Sequence, residues 1–456
     1  MSLEVVILAA GQGTRMRSAL PKVLHPIAGK PMVGQVVDTV RSLNAAHIYL
    51  VVGHGAEQVR KALAANEVAF VEQLEQLGTG HAVAQALPQL QADSQVLILY
   101  GDVPLIKAAT LEKLLAHATA TSMGLLTVNL NNPTGYGRII RDAQQQVAAI
   151  VEQKDANAEQ LAVTEINTGI LAVTSQQLQR WLPQLSNTNS QGEYYLTDII
   201  AMAYAEGTLI TSVQPSSTSE VEGVNNRLQL AALERVYQLE QAEKLMAGGV
   251  TLADPARIDV RGELTAAQDV FIDVGCVFEG IVELAEGVEI GPYCVIKNAR
   301  LGAGVKLAAF THLEDVVLEG DNQVGPFARL RPGTHLETGA KIGNFVETKK
   351  THVGKGAKIN HLSYIGDAEV GAAANIGAGT ITCNYDGVNK HFTKIGAGAF
   401  IGSNSSLVAP IEIGAGATVG AGSTITRSVA DNALAVTRAK QLQLANWPKP
   451  AKKQEN

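Results

Sequence analysis

Long apolar runs are missing from this sequence of 456 residues: nowhere do about 18 apolar residues follow one another, which excludes a membrane-spanning helix. Cysteine is scarce. Cys276, Cys294 and Cys383 are widely spaced and odd in number, so neither a disulfide framework nor a cysteine-based zinc site is expected. A basic surplus is also missing, because 36 Lys and Arg against 43 Asp and Glu leave a net charge of −7. That balance disfavours a nucleic-acid partner, yet phosphorylated small molecules need only a few local cations. The start, "MSLEVVILAAGQGT", has an acid at Glu4 and an apolar run too short for a signal peptide, so the expected compartment is the cytoplasm. Aromatics are only 4% while glycine fills 44 positions, a skew toward tightly wound, small-residue architecture.

What is present is a soluble globular composition, 46% hydrophobic and 17% charged, in a chain long enough for two or three domains. Up to residue 226 short apolar runs such as "VVILAA" (5–10), "IYLVVG" (48–53) and "VLILYGD" (96–102) alternate with amphipathic stretches such as "PMVGQVVDTVRSL" (31–43). Alternation of this kind predicts βαβ units, with a mixed, mostly parallel sheet covered by helices on both faces. Residues 227–247 lack Gly and Pro, and Leu230, Leu233, Tyr237 and Leu245 fall roughly on one face, which predicts a long linker helix stopped by Gly248 and Gly249.

From 248 to 456 the pattern changes. Val324, Leu330, Leu336 and Ile342 are six apart, as are Ile395, Ile401, Leu407, Ile413, Val419 and Ile425. An earlier series, Ile272, Phe278, Leu284, Ile290 and Ile296, keeps the rhythm, with slips near 301 and 318. A period of six fits neither an α-helix nor strand alternation. It fits a parallel β-helix of hexapeptide repeats, with the aliphatic side chain inward. The handedness cannot be read from the period. The end, "NWPKPAKKQEN" from about Asn446, is expected to be poorly ordered.

"LAAGQGTRM" (8–16) follows a buried strand, as a phosphate loop should, but it has neither the third glycine of a dinucleotide fingerprint nor a Walker Gly-Lys-Ser/Thr. Alone it is equally compatible with a plain turn. Its context adds Arg15 and Lys22, able to neutralise a triphosphate, and Asp102 at the carboxyl end of an apolar strand, where open α/β sheets bind ligands. One carboxylate there suits Mg²⁺, with a helix cap as the bland alternative.

On the coil, outer polar residues mean little unless they cluster. Arg329 and Arg331, then Glu347, Lys349 and Lys350, then His361 and Tyr364 recur at about one coil's spacing, so they are expected to share one region. Stacked cations suggest a phosphate-bearing ligand. His361 is either a surface histidine or a base able to take a proton from an amine near neutral pH. "GTITCNYDGVNKHFTKIG" (379–396) breaks the six-residue rhythm: Ile395 falls one position beyond a whole number of hexads from Ile376, so the chain must leave the coil between them.

The motifs "LAAGQGTRM", "PKVLH", "EQLGTGHA", "YGDVPL", "TGYGR", "EINTG" and "VEGVNN", followed by hexads, resemble those of the bifunctional N-acetylglucosamine-1-phosphate uridylyltransferase/glucosamine-1-phosphate N-acetyltransferase family along nearly the whole chain. The resemblance implies a nucleotidyltransferase domain over 1–226, a linker helix over 227–247 and an acetyltransferase domain over 248–456 folded as a left-handed β-helix. UTP and acetyl-CoA would be co-substrates and Mg²⁺ the metal, and a homotrimer would assemble the acetyl-transfer site between subunits. The backbone of Leu8, Ala9, Ala10 and Gly11, with Lys22 and Arg15, would hold and neutralise the triphosphate. Gln73, Gly78 and Thr79 would surround uracil, beside Tyr100 and Gly101. Gly137, Glu152 and Asn167 would hold the amino sugar, and Asp102 with Asn225 would ligate Mg²⁺. His361 is implied as the base for acetyl transfer. Arg331, Lys349, Tyr364 and Asn375 match sugar-phosphate contacts, and Ala378, Asn384, Tyr385, Ser403, Ala421 and Arg438 match acetyl-CoA contacts.

In the interruption, Asn384 and Tyr385 are expected to leave the coil wall toward the thioester, with Asp386-Gly387 forming the turn and His391 a solvated loop residue. Two other readings stand beside this one. One is a single-activity sugar nucleotidylyltransferase with a structural or regulatory β-helix, and the other is a non-catalytic nucleotide-sugar sensor. The grouping of His361, Asn384, Tyr385 and Arg438 weighs against the first, and retention of Arg15, Lys22, Asp102 and Asn225 against the second.

Overall fold

The computed structural model describes residues 1–449, so 450–456 of the expected polar tail lie outside the described residues. The chain divides into two compact units, Met1–Leu239 and Glu240–Asn456. No helix among the described residues is long and apolar enough to cross a membrane.

In the first unit nine strands form one mixed sheet: β1 (Ser2–Ala9), β2 (His47–Val52), β3 (Ala69–Glu72), β4 (Ser94–Tyr100), β5 (Ser122–Asn129), β6 (Arg138–Arg141), β7 (Val147–Val151), β8 (Glu165–Thr174) and β9 (Leu209–Val213). The main order is β9-β5-β8-β4-β1-β2-β3, and β6 with β7 forms a hairpin joined to β8. Pairing in that order is parallel except along β8, which runs antiparallel to both β4 and β5. The apolar run of β1 is explained by its two faces. Val5, Ile7 and Ala9 join one core with Val33, Val36 and Leu111, whereas Val6 and Leu8 join the other with Val83, Trp181 and Ile199.

The long helix spans Arg227–Ala247 and ends where Gly249 turns to φ +96. Its apolar residues are shared between the units, as suits a linker helix. Leu233 is buried with Met16, Ile27 and Met32 of the first unit, while Ala242 and Leu245 pack on the interior of the second. The division between the units accordingly falls within the helix.

The second unit is a coil of short parallel strands in two long ladders of 11 and 13 strands. Val324 pairs with Ile342, a full three hexads on, but Ile290 pairs with Leu307 and Leu307 with Val324 one position sooner. Those shorter coils account for the slips in the hexad count. The hexad aliphatics line one continuous core, with Leu330, Leu336, Ile401, Leu407 and Ile413 fully buried. Ala242 and Leu245 close the first end of that interior, as a capping element must in a stacked repeat. At one corner, Tyr293, Phe310, Phe327 and Phe345 take positive φ in successive coils and stack their rings 5.4, 4.9 and 5.4 Å apart. The aromatic contact offsets part of the left-handed backbone's cost.

Candidate active sites

In the first unit β1 and β4 pair in parallel with Leu8 opposite Tyr100, so their carboxyl ends deliver Leu8–Gly11 and Tyr100–Asp102 side by side. Beyond β1 the chain turns tightly at Thr14–Met16. Gly13 there is at φ +63, and a Cβ would stand 2.6 Å from that of Lys22. Both facts require glycine, and the close crossing is what brings Lys22 under the loop.

These segments line a cavity of about 370 Å³. Leu8, Ala9, Ala10, Gly11 and Lys22 form one wall, Gln73, Gly78 and Thr79 another, and Tyr100, Asp102 and Asn225 reach its floor. Gly101 lies behind, where a Cβ would meet Val23 and Val33 at 3.3 Å. Gly78, at φ +113, lets the loop meet the Tyr194 carbonyl at a distance no side chain permits. Gln73 is buried and donates to the Gly78 carbonyl at 3.2 Å, which fixes the loop's height.

On the floor, the Lys22 ammonium is ion-paired with Asp102 and lies 3.3 Å from Asn225 Oδ1. Arg15 Nη2 donates to the same Asn225 oxygen at 2.9 Å. The Val224 amide donates to the Asp102 carbonyl at 2.9 Å, zipping two distant parts of the sequence into one corner. A carboxylate and a carboxamide oxygen thus converge on a cation. That donor pair is what Mg²⁺ takes beside phosphate oxygens, so the residues fit the metal.

The implied sugar residues are also brought together. The Asn167 amide donates to the Gly137 carbonyl at 2.9 Å, and Glu152 Oε1 is 3.2 Å from where a Gly137 Cβ would stand. Tyr100 packs over Gly169 from the cavity side. Burial, together with the Asp102 and Glu152 charges, pushes the Tyr100 hydroxyl well above its ordinary range, so it stays a neutral donor. Burial raises the Glu152 carboxyl, although Thr197 donates to it at 3.3 Å. Gln76 and Glu193 on the cavity wall, and Thr197, were not singled out from sequence, and no local pattern marks them.

In the second unit His361 ends the strand Lys358–His361, in register with Asn344 one coil earlier. Its Nδ1 lies 3.0 Å from Asn344 Oδ1. A carboxamide oxygen requires a proton at Nδ1, so Nε2 of the neutral ring is left as the acceptor. Phe345 and Leu362, the next residues, carry positive φ at the same corner and aim this pair outward. Asn344 was missed from sequence, although counting back one coil from His361 leads directly to it.

The three polar clusters are brought together: Arg329 is in register with Glu347 and Glu347 with Tyr364 along the 13-stranded ladder. His361 alone belongs to the 11-stranded ladder, three residues before Tyr364. The cations are not a bare stack, because Arg331 pairs with Glu347 at 2.8 Å. Asn375 is in register with Lys358 at the start of the next strand of the His361 ladder. The implied acetyl-CoA positions stack at the His361 corner. The Gly379 amide reaches the His361 carbonyl at 3.4 Å, Asn404 donates to Ala378 at 2.7 Å, and Gly422 donates to Ser403 at 2.8 Å. Ala421 precedes Gly422, and Arg438 Cδ stands 3.7 Å from where a Gly422 Cβ would be.

The chain leaves the coil within the expected span, and the interruption differs from its expectation at Asn384 and at His391. Ile376 pairs with Ile401, a step longer than one coil by more than a hexad, so the excursion falls after Cys383 and rejoins at Thr393. Asn384 is buried rather than lifted off the wall, because its amide is held by Asp367 and by Tyr364 Oη at 3.4 Å. Tyr385 does leave, at 55% exposed. His391 is not merely solvated. It pairs with Asp386 at 2.7 Å, and Asp386 also accepts from the amides of Val388 and Asn389, clamping the loop.

An α/β unit with a glycine loop facing a carboxylate, joined to a hexad coil with an oriented histidine, is the build of a two-unit transferase. Residues 5–182 match the MobA-like NTP transferase domain, and residues 392–427 match the six-repeat bacterial transferase hexapeptide family. The chain is 60% identical over 450 residues to the bifunctional protein GlmU of Marinobacter nauticus, covering 99% of both chains. It is 61% identical to that of Cellvibrio japonicus, covering 99% of this chain and 100% of the relative, and 59% identical to that of Pseudomonas putida, covering 99% of each. The chain belongs to the bifunctional GlmU family.

Proposed function

We propose that this chain makes UDP-N-acetylglucosamine by acetylating glucosamine-1-phosphate on the coil and transferring a uridylyl group from UTP to the product on the α/β unit. The observation that carries two activities rather than one is the His361–Asn344 pair. Two other outward imidazoles on the coil, His335 and His352, are paired with the carboxylates of Glu319 and Glu337, whereas His361 is held by a carboxamide that leaves its second nitrogen to accept a proton.

On the coil, His361 Nε2 takes a proton from the sugar amine as the nitrogen attacks the thioester carbonyl, and the coenzyme A sulfur leaves as thiol. Lys349, Tyr364 and Arg331, with Asn375, hold the sugar phosphate. The stacked positions Ala378, Ser403, Ala421 and Arg438 hold acetyl-CoA with Asn384 and Tyr385. These residues lie on two different ladders, which supports a homotrimer in which neighbouring subunits complete each acetyl-transfer site.

In the α/β unit, Arg15 and Lys22 bear on the triphosphate of UTP, while Gly137, Glu152 and Asn167 orient the sugar phosphate for attack on the α-phosphorus. No general base is needed, because the attacking phosphate oxygen is already ionised. Asp102 and Asn225 would hold Mg²⁺, which supplies neutralisation of the charge that accumulates on the phosphates. The cytoplasm, where UTP and acetyl-CoA are found together, is the compartment this reading requires.

With glucosamine-1-phosphate, acetyl-CoA, UTP and Mg²⁺ supplied, free thiol and pyrophosphate are followed separately. Both should appear, thiol first. In a second reaction N-acetylglucosamine-1-phosphate replaces glucosamine-1-phosphate: pyrophosphate there with no thiol in the first would leave a single-activity nucleotidylyltransferase, and neither product in either reaction would leave a sensor. Sedimentation should give three times the chain mass, and a monomer with full thiol release would remove the shared-site reading.

A further inference from the structure

Arg138 is the second largest fully buried side chain among the described residues, at 2% exposed. No carboxylate pairs with it among the described residues. Its Nη1 donates to the Tyr136 carbonyl, its Nη2 donates to Gln153 Oε1 at 2.8 Å, and its Nε has no partner. A buried guanidinium without a counter-ion is costly, and it persists only where its bonds hold something in place.

What it holds is the strap that precedes β6. Gln153 Oε1 accepts both from Arg138 and from the Gly135 amide at 3.1 Å, so one oxygen ties the guanidinium to the far end of the strap. Arg138 stands opposite Val151 in the β6–β7 hairpin and opposite Ile166 of β8, beside Glu152 and Asn167 respectively. The segment between its two anchors is Gly135–Gly137, and the Gly137 carbonyl receives Asn167 while its Cα crowds Glu152. Tyr136, within the strap, is close enough to Glu222, Asp102 and Arg15 for their charges to act on its hydroxyl, which burial pushes up most.

We infer that Arg138 is a positioning residue for uridylyl transfer: it clamps the Gly135–Gly137 strap to Gln153 and so sets where the sugar phosphate lies against the nucleotide. This rests on the assignment of Gly137, Glu152 and Asn167 to the sugar. Arg138 itself does not line the nucleotide cavity, so its loss should act chiefly on the sugar phosphate.

The experiment measures pyrophosphate release in the full-length enzyme, varying N-acetylglucosamine-1-phosphate and UTP in turn, for wild type, Arg138→Met, Arg138→Lys and Gln153→Ala. Thiol release in the same preparations is the control for a folded chain. Arg138→Met should raise KM for the sugar phosphate roughly ten- to a hundredfold, because small misplacements of a reacting group carry penalties of that size, with KM for UTP within about twofold. Arg138→Lys should recover only part, since a point charge cannot bridge a carbonyl and an amide as a planar fork does. Gln153 is only half-buried, so Gln153→Ala keeps the fold if Arg138→Met does not, and it should show the same split more mildly. Equal movement of both KM values, or an unchanged sugar-phosphate KM in Gln153→Ala, would overturn the inference. A wild-type enzyme that releases pyrophosphate but shows no saturation by the sugar phosphate would overturn the underlying site assignment as well.

Discussion

Lys22 and Asp102 are ion-paired beneath the glycine loop, with the Asn225 oxygen 3.3 Å from the same ammonium. A lysine therefore compensates the carboxylate until a stronger cation competes for it. Chelation with EDTA should abolish pyrophosphate release and leave thiol release unchanged. Asp102→Asn should cut pyrophosphate release by about 10²- to 10³-fold, the scale of losing one electrostatic stabiliser of developing charge. A variant that keeps wild-type release at saturating Mg²⁺ would remove Asp102 from the site.

Much of this architecture was legible because it is periodic. Inward aliphatics every six residues follow from closing a coil, and buried βαβ strands must be apolar on both faces, as Val5–Ala9 are. Contacts that close over long sequence separations left no such trace. Arg15 meets Asn225 across 210 residues, and nothing near either position announces the other. The burial of Asn384 depends on Asp367 and Tyr364, one coil back, while the local text of the loop offered only turn residues. The long helix was legible from its stripe, but not which of its apolar residues enter which core.

His361 and Asn344 yield a paired prediction. His361→Ala should lower thiol release by about 10²- to 10⁴-fold, the usual range for a general base, with pyrophosphate release from N-acetylglucosamine-1-phosphate untouched. Asn344→Ala leaves the base in place but frees the ring, so it should lower kcat for thiol release by a smaller factor with little change in KM. If Asn344→Ala matches wild type, tautomer control by that carboxamide is excluded.

Glu152 gives a dependence of stability on pH. Burial raises its carboxyl in the folded state, so the folded chain binds this proton more tightly than the unfolded one. The resulting stability is present below the ordinary glutamate value of about 4.3 and is lost as pH rises through the raised folded value. Glu152→Gln removes that loss. Thermal melts of the α/β unit from pH 4 to 7 should therefore move progressively in favour of the variant, while its KM for the sugar phosphate rises. A melting difference independent of pH would mean that Glu152 does not titrate across this window.

Asp386 is the converse case. The Asn389 amide, the His391 side chain and the Val388 amide hold its carboxyl well below the usual carboxylate range. A depressed folded value means that its contribution is present above the unfolded value of about 3.9 and disappears only as pH falls through the folded one. The clamp on residues 386–391 should thus stay closed throughout the neutral range, where acetyl-CoA binds. Asp386→Ala removes all three bonds, whereas His391→Gln removes one and leaves both amides capped. Hydrogen exchange at Val388 and Asn389 should accelerate strongly in Asp386→Ala and only slightly in His391→Gln. KM for acetyl-CoA should rise in the same order, because Tyr385 is carried by the loop while Asn384 is fixed independently by Asp367. If exchange accelerates but KM for acetyl-CoA does not move, the loop is a structural excursion and Tyr385 has no part in holding the cofactor.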